Sequence, residues 1–325
     1  MARTLPAFST NELERTHHLL AARVAYMMGR KFEEGDWAHV YTRAKGIPNK
    51  GWSNLNIDVM HQGLGVEHKM YCYRSRPSIT EACGTSIMHP AATRAIRIPE
   101  EDDPNKAMRN ILQQYAQLLE QRRKKVLEDW PKKKTPDMRV GWLLWQETLA
   151  EFLYFEERMT VPDPSGFYAN WNARKTGVRR GSRNLWIYEK ETGRKRYSVT
   201  SEAGAKIQPY FDVPPIDDPN LYVFAIQGWE FKSGLVRLWL MESTALELER
   251  LLGNLDCDTL SNAILGAERP KEAEMRGLRE DEARSVEVTR TAYDHLREYF
   301  DGVSDEHRMQ LLLKQVREKL PTRGK

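Results

Sequence analysis

Two acidic residues and one lysine in a short stretch have the types and spacing of a phosphodiester-hydrolysing site. Asp58 lies between apolar residues, and Glu67 and Lys69 follow later in the chain. Side chains two positions apart on a β-strand share a face, so Glu67 and Lys69 should project together. Gly63 and Gly65 predict a tight turn between two strands, and such a hairpin would bring Asp58 beside the pair.

The chemistry that these residues suit is metal-assisted hydrolysis of a phosphate ester. Carboxylate oxygens bind hard divalent cations such as Mg²⁺, which neutralise phosphate charge and lower the pKa of a bound water. An ammonium group beside that water orients it and stabilises the charge that develops in the transition state. Asp58 and Glu67 are therefore candidate metal ligands, and Lys69 is the candidate that positions the attacking water.

The order Asp58, Glu67-x-Lys69 resembles the signature of the PD-(D/E)xK nuclease superfamily, to which many type II restriction endonucleases belong. Ile57 stands where many members have a proline. The resemblance covers about the first 150 residues. It implies an α/β fold (α+β mixed) with a restriction-endonuclease-like core, in which a central mixed sheet is flanked by helices.

The resemblance also implies further ligands and partners. The carbonyl of His68 would complete the metal coordination, and Glu14, on a first helix, would add a third acid. A plain solvent-facing role is the alternative for Glu14. Double-stranded DNA is the implied substrate and Mg²⁺ the implied cofactor. A homodimer is implied because a two-fold axis matches a cut in both strands of a symmetric site.

Several alternatives stand beside this interpretation. A cross-strand Glu/Lys pair is usually a solvated sheet face, although apolar flanks at 55–59 and 70–73 favour a half-buried site. Asp137 and Glu147 mimic the motif, but no lysine follows Glu147. Glu230 and Lys232 have the right spacing but lie at the tip of a predicted hairpin, which is exposed and holds ligands poorly.

Three further functions fit the sequence. The same nuclease core is also used in repair or transposition. A non-catalytic DNA- or RNA-binding protein would carry Glu67 and Lys69 as a surface pair. A structural interaction protein would be built around the charged C-terminal helices, which occupy the last part of the chain.

Composition predicts a large protein of the reducing cytoplasm. The 325 residues suffice for two domains or one elaborated domain. No run approaches the roughly 18 apolar residues that span a bilayer, and residues 1–6 lack an apolar signal core. Cys72, Cys83 and Cys257 show neither metal spacing nor a disulfide framework. The net charge of +4 does not by itself indicate a polyanionic partner.

The elements that must position the site are predicted from periodicity and capping residues. Helices are expected at 9–29, 32–45, 105–130, 147–159, 243–252 and along 268–325. Strands are expected at 138–146, 186–188, 196–199, 222–226 and 235–240, the last two forming a hairpin. The expected domains are a nuclease core at 1–160, a β-rich basic region at 161–255 that could complete the same domain, and a helical region at 256–325.

Basic residues that alternate with aromatic ones predict the nucleic-acid surface. Arginines at high density suit phosphates and can read guanine edges, and their alternation with aromatics favours binding over a solvated face. The lysines at 132–134 are more typical of solvated surface. The residues expected to contact DNA in this segment are Arg174, Lys175, Arg179, Arg180, Arg183, Arg194, Lys195 and Arg196. Arg94 and Arg97 are expected to do so from the long irregular segment 74–104, for which a plain surface loop is the alternative.

Overall fold

Helices and strands are mixed along the chain in the computed structural model, which confirms the predicted mixed α/β class. The structure describes residues 4–27, 31–48, 57–73, 78–84, 86–88, 96–132, 134–173, 183–200, 206–267, 282–299 and 305–319. The helices in these ranges are α1 (Thr10–Tyr26), α2 (Glu34–Ala44), α3 (Pro104–Asp129), α4 (Glu242–Leu252), α5 (Cys257–Leu265), α6 (Arg290–Tyr299) and α7 (Asp305–Lys319). None of these described helices is long and apolar enough to cross a membrane.

The described strands form three sheets. The strands are β1 (Thr4–Leu5), β2 (Val59–His61), β3 (Leu64–Tyr73), β4 (Ser86–Met88), β5 (Asp137–Gln146), β6 (Glu151–Arg158), β7 (Phe167–Ala173), β8 (Arg183–Glu189), β9 (Lys195–Thr200), β10 (Lys206–Asp212), β11 (Tyr222–Ala225), β12 (Leu235–Met241) and β13 (Ala283–Thr289). The first sheet has the order β1-β6-β5-β3-β2, with β11 also paired to β6. The second sheet has the order β4-β10-β9-β8-β7, and β12 pairs with β13 in the third.

Strands β2 and β3 form a tight two-residue hairpin. His61 pairs with Leu64, and the intervening Gln62 and Gly63 have φ of 47° and 77°. Positive φ at both turn positions is the geometry that matches the twist of the flanking strands. The predicted hairpin is confirmed, but Gly65 is not part of the turn, because it lies inside β3 opposite Met60.

The connection from β3 to the neighbouring strand β5 contains β4 and helix α3. A Cβ added to Gly65 would lie 3.1 Å from Met138, and one added to Gly141 would lie 2.9 Å from His68. The contact positions therefore increase in number along both strands, from 65 and 138 to 68 and 141, so β3 and β5 run parallel. Parallel neighbours need a long crossover connection, and α3 lies in this one. The predicted order of helix, hairpin, helix and strand is present.

The second sheet packs one face on α3. Alternate residues of its strands are buried, including Leu185, Ile187 and Val199, each fully buried. They share a core with Ile111 and Leu112 of α3. Since Val126 of the same helix belongs to a small core with Ile57 and Met138, α3 has apolar contacts both with this sheet and beside the β2–β3 hairpin.

The chain divides into two compact units that do not follow the three successive ranges expected from sequence. Unit 1 consists of Met1–Ala7, Gly51–Leu144 and Leu153–Tyr222, so the basic β-rich region joins the hairpin that carries the acids. Unit 2 consists of Phe8–Lys50, Trp145–Phe152 and Val223–Lys325. Its separate core is formed by β12, β13 and helices α4 to α7.

Helix α1 begins where the sequence indicates. Ser9 accepts a hydrogen bond from the backbone N–H of Glu12, and the Glu12 carboxylate accepts one from the N–H of Ser9. This confirms the predicted capping box. The predicted helices at 32–45, 105–130 and 243–252 are also present as α2, α3 and α4.

Some predicted elements are wrong. The segment 147–159 contains strand β6 rather than a helix, because its run of fully buried residues from Phe152 to Phe155 has no periodicity to separate the two. Strands β11 and β12 do not pair with each other, since β11 pairs with β6 and β12 with β13. The C-terminal region, predicted as helical, contains strand β13 before α6 and α7.

We expect Gly141→Ala to lower the free energy of unfolding by about 1–3 kcal/mol, because the added methyl overpacks the sheet. Its Cβ would meet the hydroxyl of Tyr154 and the ring of His68, which is fully buried. Chemical denaturation measures the effect. Gly166→Ala is the matched control in unit 1, since a Cβ there meets no atom within 4 Å. Equal stability of the two variants would contradict this account of the packing.

Candidate functional site

Asp58 lies immediately before β2 and faces Glu67 across the hairpin. The register pairs Val59 with Val66, so one step outward brings position 58 opposite position 67. Directly opposed residues of an antiparallel pair project to the same face, so the two carboxylates share a side of the sheet. Oδ2 of Asp58 accepts a hydrogen bond of 2.6 Å from the backbone N–H of His68.

Glu67 contacts a cation on each of its oxygens. Lys69 Nζ donates to Oε1 at 2.8 Å, and Nη1 of Arg122, on α3, lies 3.3 Å from Oε2. The residue is 8% exposed. Among the described residues no hydrogen bond of acceptable geometry reaches Oε2, although Arg122 is close. Glu67 is therefore joined to Lys69 and Arg122, and the register places Asp58 opposite it.

Tyr115 connects this cluster with the second sheet. It lies two helical turns before Arg122 on α3, so both side chains are on one side of the helix. Burial raises the pKa of Tyr115, while the positive charges of Arg122 and Lys69 act in the opposite direction. The ring of Tyr115 meets that of Tyr197 edge-on, with 6.3 Å between centroids. Arg122 and Tyr115 were missed from sequence, although their seven-residue spacing in the long helix is visible there.

His68 points to the other face of the first sheet. It is fully buried, and burial followed by the charge of Lys69 lowers its pKa to about 3, so the imidazole is neutral at physiological pH. Its ring lies 6.0 Å from that of Tyr154. The Tyr154 hydroxyl donates to Glu156, which also accepts from Arg139 at 2.9 Å. The ring of His68 therefore packs beside a charged network on β5 and β6, on the face opposite Glu67 and Lys69.

The resemblance implies two further metal ligands, Glu14 and the carbonyl of His68. Glu14 is an exposed residue of α1 in unit 2, whereas Asp58 and Glu67 belong to unit 1. The exposure of Glu14 fits the alternative of a plain solvent-facing residue, and its role as a third acid stays a prediction. The role of the His68 carbonyl also stays a prediction.

The residues expected to contact DNA are in different situations. Arg97 is exposed, and its backbone N–H and carbonyl are both hydrogen-bonded to Gln114 of α3. Arg194 is 57% exposed and lies 3.3 Å from Asp212. Lys195 lies over aromatic rings. Arg94, Arg174, Lys175, Arg179 and Arg180 lie outside the described residues, and only the backbone of Arg183 is described.

Arg196 differs from the expected DNA contact. It is 8% exposed, with Nη1 2.7 Å from Asp212 and Nη2 3.6 Å from Glu189. A guanidinium held between two carboxylates in a nearly closed position stabilises the sheet locally and presents little charge to a ligand.

Asp137 and Glu230, which belong to the two alternative motifs, each form an ion pair with an arginine. Asp137 begins β5 and forms an ion pair of 2.6 Å with Arg139. Glu230 and Lys232 are exposed, and Glu230 forms an ion pair with Arg290. The preference for the hairpin site over these two positions stays a prediction.

The described residues contain no group of three or more His, Cys, Asp or Glu side chains that could hold a metal. Comparisons with protein-family models, with curated proteins and with solved structures find no match for this chain. Membership of the PD-(D/E)xK superfamily therefore stays a prediction that rests on the hairpin residues.

Asp58→Ala should lower the free energy of unfolding by about 1–3 kcal/mol, because the backbone N–H of the buried His68 loses its acceptor. Asp58→Asn should cost less, since an amide oxygen can accept the same bond. Urea titration of both variants measures the difference. Asp217→Ala, an exposed acid in the same unit, is the control and should be nearly neutral. If the Ala and Asn variants at position 58 were equally stable, this hydrogen bond would not matter.

Proposed function

We propose that this protein is a magnesium-dependent endodeoxyribonuclease that hydrolyses phosphodiester bonds of double-stranded DNA in the manner of a type II restriction enzyme. Asp58 and Glu67 are the proposed metal ligands, and Lys69 positions the attacking water. A cytoplasmic homodimer is part of the proposal, because a two-fold axis matches a two-strand cut. The observation that carries the proposal is the opposition of Asp58 and Glu67 across one hairpin, with Lys69 and Arg122 against Glu67.

The two carboxylates fit the way in which Mg²⁺ is usually bound. Proteins commonly hold this ion through one or two carboxylates together with substrate phosphates, so two acids suffice when DNA supplies the other oxygens. Oε2 of Glu67 is buried without a well-formed hydrogen bond from the described residues, and it therefore keeps lone pairs for a ligand role. A bound Mg²⁺ would supply charge neutralisation at the phosphate.

The cations of the cluster suit the rest of the task. The ammonium group of Lys69 donates to Glu67, and an ammonium beside a metal-bound water would also orient that water. The planar guanidinium of Arg122 matches phosphate geometry. Asp58, Glu67, Lys69 and Arg122 together carry no net formal charge. A divalent cation and an anionic phosphate are therefore best accommodated together, since either alone leaves a charge poorly compensated in a half-buried place.

A non-catalytic nucleic-acid-binding protein is the second candidate, and one observation favours it. Both oxygens of Glu67 already face cations, at 2.8 Å and 3.3 Å, and the Asp58 carboxylate already accepts a backbone hydrogen bond. A charge-balanced cluster of this kind can hold a hairpin against a helix without any metal.

Incubation of supercoiled plasmid with the protein and Mg²⁺ should give linear and discrete products, whereas EDTA should prevent cutting. Glu67→Gln and Lys69→Ala should each slow cutting by roughly a hundredfold or more, because metal polarisation and water positioning are each worth several kcal/mol. The rate of plasmid linearisation on agarose gels measures the loss. A gel shift in EDTA should show that the Lys69→Ala protein still binds DNA.

Glu230→Gln is the matched control, since Glu230 belongs to the rival Glu-x-Lys pair and is exposed. It should cut as the wild type does. Cutting that is abolished by Glu230→Gln and kept by Glu67→Gln would transfer the site to unit 2. If the wild-type protein retards DNA in the gel but never cuts it in Mg²⁺, the nuclease is rejected and the non-catalytic nucleic-acid-binding protein is supported.

A further inference from the structure

Five residues on one face of the second sheet form an aromatic and cationic surface, which we call the ring face: Tyr168, Trp186, Tyr188, Lys195 and Tyr210. Tyr168 is paired with Tyr188 across β7 and β8, and their rings stack with centroids 5.2 Å apart and planes inclined by 15°. The Lys195 ammonium lies 3.7 Å from the centroid of Trp186 and 4.8 Å from that of Tyr210.

The ring face is the outer face of the sheet. Side chains alternate along a strand, so Trp186 and Tyr188 point away from the buried Leu185 and Ile187, which pack towards α3. All five members of the ring face are half-buried. A sheet with one core face normally presents polar side chains on the other, and four large rings are a departure from that rule.

The charge of the ring face is positive. Within the part of the chain that the structure describes, no carboxylate forms an ion pair with Lys195, whose contacts are the two rings. The neighbouring acids, Glu189 and Asp212, face Arg196 at 3.6 Å and 2.7 Å. Flat apolar rings around an ammonium complement a ligand that has both flat rings and negative charge.

Amide side chains border the rings. The register places Asn170 opposite Trp186 and Asn172 opposite Asn184 on the same face, and Gln208 lies opposite Ser198. Amides both donate and accept hydrogen bonds, which matches the mixed donors and acceptors on the edges of nucleobases. A purely apolar protein partner would gain nothing from these groups and would have to desolvate them.

We propose that the ring face binds unpaired nucleotides of a DNA strand by stacking their bases on Trp186 and on the Tyr168–Tyr188 pair, with Lys195 against the backbone phosphates. Ring-on-ring stacking needs an open base face, and base faces inside a duplex are covered by their neighbours. The ligand is therefore single-stranded or locally unpaired DNA. This goes beyond the proposed nuclease activity, and it does not require the metal cluster.

The test is fluorescence anisotropy in EDTA with a labelled single-stranded oligothymidylate and with a blunt duplex that contains the same strand. The wild type should bind the single strand more tightly than the duplex. Trp186→Leu should weaken single-strand binding about tenfold or more, the loss expected for one stacked base. Trp186→Phe keeps a ring and should keep most of the affinity. Lys195→Gln should weaken binding and reduce its dependence on salt.

Trp229→Leu is the matched control, because Trp229 is a 38% exposed tryptophan outside the ring face. It should bind as the wild type does. Preference of the wild type for the duplex, wild-type affinity in a folded Trp186→Leu protein, or equal losses in the Trp186 and Trp229 variants would overturn the proposal. If circular dichroism shows that Trp186→Leu does not fold, Lys195→Gln decides, and unchanged affinity there also overturns it.

Glu67→Gln separates this proposal from the nuclease. The variant should bind the single strand as the wild type does, since the ring face lies on a different sheet from Glu67. Single-strand binding without any Mg²⁺-dependent cutting would keep the ring face and reject the nuclease. Mg²⁺-dependent cutting without preferential single-strand binding would keep the nuclease and reject the ring face as a binding site.

Discussion

Glu67 has 8% of its surface exposed, and the free-energy cost of burying a carboxylate is offset by neighbouring charges of opposite sign. One of these comes from its own strand, through Lys69, and the other comes from α3, through Arg122. The second contact joins elements that are far apart in sequence. It fixes the rotation of α3 about its own axis relative to the hairpin, because a guanidinium one position away on the helix would point elsewhere.

That rotation also determines what the same side of the helix meets closer to its N-terminus. Ile111 and Leu112 of α3 are fully buried against Leu185 and Ile187 of the second sheet. A turn of the helix that removed Arg122 from Glu67 would also remove these side chains from their core. The ion pair and the apolar contacts are therefore satisfied by one placement of α3, and that placement connects the hairpin with the second sheet inside unit 1.

Local signals in the sequence account for the hairpin and for the start of α1, but not for the partners of either site. Alternation around Asp58 and Glu67, a glycine turn and a Ser9/Glu12 capping box each act within a few residues, so they can be interpreted from sequence. Arg122 reaches Glu67 only through the crossover between β3 and β5, and no local pattern specifies that distance. The same reason explains why the sequence predicts a helix at 147–159, where the structure has β6. Its run of buried residues fits either a helix or a strand, and only the neighbouring strands decide between them.

The basic segment shows a second limit of sequence interpretation. Arg194, Lys195 and Arg196 are consecutive and look equivalent, yet one is exposed beside Asp212, one lies on Trp186 and one is enclosed by two carboxylates. A register shift between β8 and β9 near Ile187 and Tyr188 interrupts simple alternation, so the face of each basic side chain could not be assigned by counting.

The two proposed surfaces of unit 1 are separated by the second sheet itself. Glu67 contacts α3, the buried face of the second sheet also packs on α3, and the ring face is on the other side of that sheet. Opposite faces of one sheet are divided by the backbone and by a packed layer of side chains. A base stacked on Trp186 therefore does not put its own phosphate at Glu67. Binding on the ring face would add affinity and hold a strand, while hydrolysis at the hairpin would act on another phosphate of the same DNA, so each surface can be lost without the other.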